Sequence, residues 1–239
     1  MNSKIFKMLF CFIGMVMIGG GMVMITRQGW ADSYQHHVEY QGRTLNYAYY
    51  VPNNVTEEPD ALVLVPGLIG RGEHMINSKW IALSDKTGRP IIAPSFVFEG
   101  DIAFLKNESY QFPNAWSGGA LNAILDQFAE KGIRIQHLYM AGFSAGAQFV
   151  GRYSLAHPNK VVKCAIGASG GNDPIDYASP VKFFYAIGEK DQANRRFFAD
   201  EFAKQAASYG VSVIQKKYPN TGHSFTPEME NDFINFLKK

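Results

Sequence analysis

The sequence predicts an α/β domain with a mostly parallel central sheet, helices on both faces and an antiparallel hairpin at its start. Two observations predict this class. Short apolar runs typical of strands alternate with longer segments of helical periodicity, which is the order expected of a parallel sheet. One of these runs, residues 61–65, contains no polar residue, as in a strand that is buried on both faces.

The elements can be placed in order from residue 34. Residues 34–52 alternate apolar and polar side chains around a turn at Gly42 and Arg43, which indicates the hairpin. Further strands are predicted at 61–65, 89–94, 133–141, 161–168, 181–188 and 211–215. Helices are predicted at 80–86, 114–131, 145–156, 194–209 and 227–239. Residues 95–113 form a long aromatic-rich loop, which either walls a pocket or packs over the sheet edge.

Length and charge indicate one domain. At 239 residues the chain is long enough for a single large core, which we place at residues 32–239. The net charge of the whole chain is +2, and Lys4, Lys7 and Arg27 precede this domain, which is therefore nearly neutral. Nucleic-acid binding, which needs a basic excess, is not expected. Cys164 is the only cysteine of the domain, so no disulfide can form within it.

Residues 1–31 are predicted to be a signal peptide or an N-terminal membrane anchor. Lys4 and Lys7 precede the uncharged residues 8–26, and small residues at 29 and 31 suit cleavage after Ala31. An uncleaved leader would instead attach the protein to a membrane through residues 5–26, because an apolar stretch of this length can just span a bilayer. Both alternatives place the domain outside the cytoplasm, as a secreted, periplasmic or membrane-anchored protein.

A pentapeptide at 142–146 carries the chemistry. Gly142-Phe143-Ser144-Ala145-Gly146 matches Gly-x-Ser-x-Gly, a tight turn that presents a nucleophilic serine between a strand and a helix. The strand predicted at 133–141 and the helix predicted at 145–156 supply that context. Glycines are needed because strand and helix pass too closely for Cβ atoms. Ser144 is therefore the candidate nucleophile.

A serine hydroxyl needs a neighbouring base, and the base needs an acid that orients it. His223 follows the last predicted strand and is the only histidine after position 157. Asp191 follows the strand predicted at 181–188, which gives the chain order Ser, Asp, His, with each residue in a loop after a separate strand. Other acids at the same edge of the sheet are Asp173, Asp176 and Glu189.

These residues resemble the α/β-hydrolase superfamily, and the resemblance covers nearly all of residues 34–239. It rests on the pentapeptide at 142–146, on Gly188-Glu189-Lys190-Asp191, on Gly222-His223 and on Pro66-Gly67. The resemblance implies an oxyanion hole made by the backbone N–H groups of Leu68 and Ala145. Many relatives have His-Gly where this chain has Pro66-Gly67, so Gly67 stays an alternative to Leu68. Some relatives carry the acid at the place of Asp173.

The resemblance implies a serine hydrolase that cleaves carboxylic esters, small or polymeric, through an acyl-Ser144 intermediate. No cofactor or metal is expected, because the chain has no dinucleotide or Walker motif and no cluster with metal-ligand spacing. The alternatives are a peptidase or thioesterase on the same triad, or a non-catalytic binding protein with a hydrolase fold. The sequence makes no prediction of oligomeric state.

The surroundings of the site are less defined. Only the short segment 169–180 separates two predicted strands where many hydrolases carry a cap domain, so we expect an open, capless site. Arg71, Trp80 and Trp116 are further candidates for its wall. Residues 43–52 are loosely similar to the start of polyhydroxybutyrate-depolymerase-like and feruloyl-esterase-like members.

Overall fold

A central sheet of eight strands organises the part of the chain that the computed structural model describes, residues 36–68 and 70–239. In chain order the strands are β1 (His36–Tyr40), β2 (Arg43–Tyr50), β3 (Ala61–Val65), β4 (Ile91–Pro94), β5 (Leu138–Phe143), β6 (Val161–Gly167), β7 (Lys182–Gly188) and β8 (Val213–Tyr218). Across the sheet their order is β1-β2-β4-β3-β5-β6-β7-β8. Strands β3 to β8 pair in parallel, whereas β2 pairs antiparallel with both β1 and β4. The predicted fold class, with its N-terminal hairpin, is confirmed.

Helices cover both faces of this sheet. They are α1 (Ser78–Thr87), α2 (Asp101–Leu105), α3 (Ser117–Glu130), α4 (Ala145–Ala156), α5 (Ala193–Ser208) and α6 (Pro227–Lys238), and a 3-10 turn spans Gly72–Met75. One core layer joins α3, α4 and α5 to the sheet, and the other joins α1 and α6 to it. Successive residues of β3 alternate between the layers, Val63 in the first and Leu62 and Leu64 in the second. This explains the uninterrupted apolar run of that strand.

Several predicted boundaries were wrong for identifiable reasons. The hairpin turn lies at Gln41 and Gly42, not at Gly42 and Arg43, because these two residues adopt the positive φ values of 50° and 73° that a two-residue hairpin turn needs. Residues 133–137 precede β5 rather than belonging to it, since the N–H groups of Arg134 and Gln136 donate to the carbonyls of Glu57 and Pro59. Residues 211 and 212 likewise precede β8, which runs on to Tyr218.

The segment predicted as a loop at 95–113 contains α2 and is held by aromatic packing. Phe96 stacks on Tyr110 with ring centroids 5.1 Å apart and contacts Phe149 of α4 at 4.7 Å. Trp116 meets Phe96 edge-on at 5.8 Å and donates its indole N–H to Glu99. Of the two alternatives for this loop, packing over the sheet edge therefore accounts for these rings.

Asp32–Lys239 forms one compact unit. The predicted leader lies outside the described residues. Within residues 36–68 and 70–239, no helix is long and apolar enough to cross a membrane. Cys164 is buried in β6, where burial raises the pKa of its thiol to about 12.

Candidate active site

Ser144 lies at a tight turn between β5 and α4. Its backbone has φ of 56° and ψ of −116°, a conformation that non-glycine residues rarely adopt and that marks stored strain. A Cβ atom on Gly146 would lie 2.2 Å from the carbonyl oxygen of Pro66, and one on Gly142 would lie 2.5 Å from that of Gly146. Strand, turn and helix therefore meet without room for a side chain at either glycine, which explains their spacing around Ser144.

His223 and Asp191 stand on two loops that pack against each other. The Asp191 loop follows β7 and the His223 loop follows β8, which is the neighbouring strand. The N–H of Lys190 donates to the carbonyl of Thr221 at 2.8 Å, so the two loops are joined by a backbone hydrogen bond. A Cβ atom on Gly188 would lie 2.2 Å from the same carbonyl oxygen. Gly188, which ends β7, thus allows the loop that carries Asp191 to pack against the loop that carries His223.

The side chains of Ser144, His223 and Asp191 form a continuous hydrogen-bonded chain. Nε2 of His223 lies 2.9 Å from Oγ of Ser144, and Nδ1 lies 3.0 Å from Oδ2 of Asp191. The Asp191 side chain is fully buried, whereas that of His223 is 33% exposed. The His223 ring packs on Phe143, the residue before the serine, with centroids 5.0 Å apart. The imidazole is therefore fixed on one side by the carboxylate and on its face by an aromatic ring.

The second oxygen of the Asp191 carboxylate has partners of its own. Oδ1 accepts from the N–H of Gln192 at 2.7 Å, and Nε of Arg195 lies 3.9 Å away. Arg195 is held in place because its Nη1 donates to the carbonyl of Ala168 at 2.9 Å. Both oxygens thus face donors, which fixes the plane of the carboxylate. Arg195 is a site residue that was not predicted from the sequence, although its i+4 spacing from Asp191 at the start of a predicted helix is a usable signal.

Asp173 lies elsewhere. Its carboxylate accepts from Nε of Arg152 at 2.9 Å, and half of its side chain is exposed. Burial lowers the pKa of Arg152, and the ion pair with Asp173 counteracts this. The other two acids considered from the sequence, Asp176 and Glu189, are exposed. Of the four carboxylates, Asp191 is the one that the structure brings to His223.

The backbone at Gly67 runs beside the serine. A Cβ atom on Gly67 would lie 3.6 Å from Cβ of Ser144, and the N–H of Gly70 donates to the carbonyl of Gly67 at 3.0 Å, which closes a turn containing Leu68. Ala145 is the first residue of α4, where a helix leaves backbone N–H groups without intrahelical acceptors. Gly67 therefore lies beside Ser144 with Leu68 next to it in the turn, and Ala145 follows the serine as the first residue of α4.

The predicted pocket-wall residues are placed differently. Trp80 is fully buried in the core layer of α1 and α6, and Trp116 is buried with the aromatic residues of segment 95–113, so neither is available to a substrate. Arg71 is exposed and pairs with Glu73 at 2.6 Å. The short connection after β6 contains no helix or strand, in keeping with the expected absence of a cap at that position.

Comparison with known proteins finds solved structures that share this fold. No family model matches the sequence, and no curated protein matches it. Among solved structures, poly(aspartic acid) hydrolase-1 from Sphingomonas sp. KT-1 superimposes with a TM-score of 0.65 at 16% identity, over 85% of this chain and 97% of that one. Acetyl xylan esterase from Aspergillus awamori gives a TM-score of 0.62 at 16% identity, over 80% and 94% of the two chains.

Est1E from Butyrivibrio proteoclasticus gives a TM-score of 0.58 at 15% identity, over 86% of this chain and 96% of that one. The chain has the α/β-hydrolase fold. The likeness is one of architecture, since the identities are low. Within this fold, Ser144, His223 and Asp191 follow three strands at the carboxyl edge of the sheet, where ligands of open α/β sheets bind.

The glycine contacts at the elbow generate a stability prediction. Replacing Gly146 by alanine places a methyl group against two backbone carbonyls at 2.2 and 2.3 Å, so we expect a loss of about 3 kcal/mol or more in the free energy of unfolding. Gly67→Ala is the matched control, because its methyl group would meet nothing nearer than 3.6 Å. Urea unfolding of both variants measures the difference, and equal stabilities would contradict the steric argument.

Proposed function

We propose that this protein is a serine hydrolase that cleaves carboxylic esters through an acyl-Ser144 intermediate. The observation that carries the proposal is the hydrogen-bonded chain from Oγ of Ser144 through His223 to the buried carboxylate of Asp191. A nucleophile, a base in contact with it and an acid in contact with the base are the groups that acyl transfer requires. The esterases among the proteins that share the fold support the choice of an ester bond.

In the proposed reaction, Nε2 of His223 takes the proton from Ser144 as Oγ attacks the ester carbonyl carbon. The imidazolium is stabilised by Asp191 and then donates its proton to the departing alcohol. Water repeats the sequence on the acyl-enzyme, with His223 again acting as base, and releases the carboxylic acid. The N–H groups of Leu68 and Ala145 are proposed to bind the oxygen that becomes negative in each tetrahedral intermediate.

We further propose that the protein acts outside the cytoplasm, which the composition of residues 1–31 supports. Two other activities use the same groups. A peptidase is supported by the neighbour described as a poly(aspartic acid) hydrolase, and a thioesterase by the chemistry of the triad alone. A non-catalytic binding protein would have no need for the ordered hydrogen bonds around His223.

The first test is hydrolysis of nitrophenyl esters of increasing acyl length by residues 32–239. The wild type should turn over at least one ester, and Ser144→Ala should lower kcat by roughly 10⁴-fold or more, since the nucleophile is lost. Matched anilide and thioester substrates separate the three activities. Equal rates for wild type and variant would contradict the proposed nucleophile. Failure of a fluorophosphonate probe to label the wild type would favour the binding-protein alternative.

The acid is tested by a matched pair of variants. Asp191→Asn should lower kcat by about 10³- to 10⁴-fold, because the amide favours the wrong tautomer of His223. Asp173→Asn removes the same charge at the alternative position and should retain most of the activity. Both variants are assayed at a temperature at which circular dichroism shows them folded, because Asp173 also pairs with Arg152. The opposite order of activities would assign the acid to Asp173.

The backbone N–H of Leu68, which is proposed to donate to the oxyanion, can be removed while the turn that begins at Gly67 is kept. Leu68→Pro deletes one backbone N–H, and position 68 follows the first residue of the hydrogen-bonded turn, where proline is well tolerated. We expect kcat to fall about 10²- to 10³-fold with little change in KM. Leu68→Ala keeps the N–H and should stay close to the wild type. If both variants lose activity alike, the leucine side chain rather than the N–H is responsible.

A further inference from the structure

A cluster of cations lies at the amino-terminal edge of the sheet, opposite the strand ends that carry the active site. Its members come from strand beginnings and helix ends, which share this edge because the helices run back against the parallel strands. We call the cluster the basic edge. Its residues are Lys86, Arg89, Lys163, Lys182, Lys238 and Lys239.

The charges of the basic edge act on one another. Burial lowers the pKa of Lys163, and the charges of Lys182, Arg89 and Lys239 lower it further. The pKa of Lys238 is lowered first by the charge of Lys86 and also by that of Lys239. Within the described residues, no side-chain carboxylate lies within 4.0 Å of any of the six cations. The repulsion is therefore not relieved by an ion pair there.

Two of the six cations are used inside the fold. Nη1 of Arg89 donates to the carbonyl of Leu237 at 2.8 Å, and Nζ of Lys163 donates to that of Phe236 at 2.9 Å. These contacts satisfy the last carbonyls of α6. The other four side chains, Lys86, Lys182, Lys238 and Lys239, are exposed. Their charge is directed at solvent, where it is available to an external anion.

The loops at the opposite edge carry more acids than cations. The segments that follow β4, β6 and β7 contain Lys106 and Lys190, and against these the acids Glu99, Asp101, Glu108, Asp173, Asp176, Glu189 and Asp191. An extended anionic surface would therefore attract the basic edge and repel the edge that carries Ser144.

We propose that the basic edge binds the headgroups of anionic phospholipids and holds the domain on a membrane with the Ser144 edge turned away from it. A membrane is favoured over a nucleic acid because the predicted leader brings this chain to a membrane and out of the cytoplasm. The linker from residue 27 to residue 35 spans at most roughly 30 Å, which keeps an anchored domain close to the bilayer. The proposal does not depend on the hydrolase activity.

The test uses residues 32–239, the compact unit without the leader, in flotation with vesicles. We expect binding to vesicles that contain phosphatidylglycerol, none to pure phosphatidylcholine, and a loss of binding as ionic strength rises. Replacing Lys86, Lys182, Lys238 and Lys239 together by glutamine should weaken binding by roughly a hundredfold or more, because each lysine near an anionic surface contributes about a fivefold factor.

A matched variant keeps this test specific. Replacing Lys79, Lys106, Lys204 and Lys217 by glutamine removes the same charge from exposed positions outside the cluster and should leave most of the vesicle binding. Circular dichroism checks that both variants fold. Equal binding to both lipids, or an equal loss in both variants, would overturn the proposal. Tighter binding to duplex DNA than to the anionic vesicles at the same ionic strength would assign the edge to nucleic acids instead.

Discussion

The close approach of α4 to the end of β3 is the contact on which the site depends. Gly146 lies against the carbonyls of Val65 and Pro66, so the helix begins where the third strand ends. That position leaves a single residue to reverse the chain between β5 and α4, and Ser144 takes it with a positive φ. The strain is held because Ser144 is tied by its N–H to the carbonyl of Gly167 in β6. Packing thereby presents the hydroxyl at the sheet edge.

The rest of the site follows from the parallel register. Because β5, β7 and β8 run in one direction, their carboxyl ends meet at one edge and bring residues 144, 191 and 223 together. The loops after β7 and β8 are joined by the hydrogen bond to the carbonyl of Thr221, which holds the acid beside the base. The serine comes from a different strand and is positioned by backbone packing. The short distances therefore arise from two separately built parts that share a sheet.

Helices and strands that are set by a repeating apolar pattern were predicted from the sequence. Boundaries that are set by one or two hydrogen bonds were not. Apolar periodicity located α4 and β3 correctly, since burial imposes that pattern directly. Residues 134 and 136 donate their N–H groups to the loop before β3, so β5 begins only at Leu138. No local sequence pattern reveals such a distant partner. The contact between His223 and Asp191 was predictable from chain order, because the fold brings those loops together. Asp173 pairs with Arg152 instead, and this contact could not be predicted because the helical pattern does not reveal that Arg152 is buried.

The fold gives one reason why cations collect at the basic edge. Every helix that returns against a parallel strand ends at the amino edge, and its last carbonyls carry partial negative charge. Cations are stabilising there, as the contacts of Arg89 and Lys163 with the end of α6 illustrate. Acids are correspondingly favoured at the carboxyl edge, where the helices begin. Lys86 lies in the last turn of α1 and Lys238 in the last turn of α6, so helix dipoles account for these two of the four exposed lysines. Lys182 begins β7 and therefore has no helix end to stabilise, and its charge adds to that of the other lysines at this edge, where an anionic surface would bind.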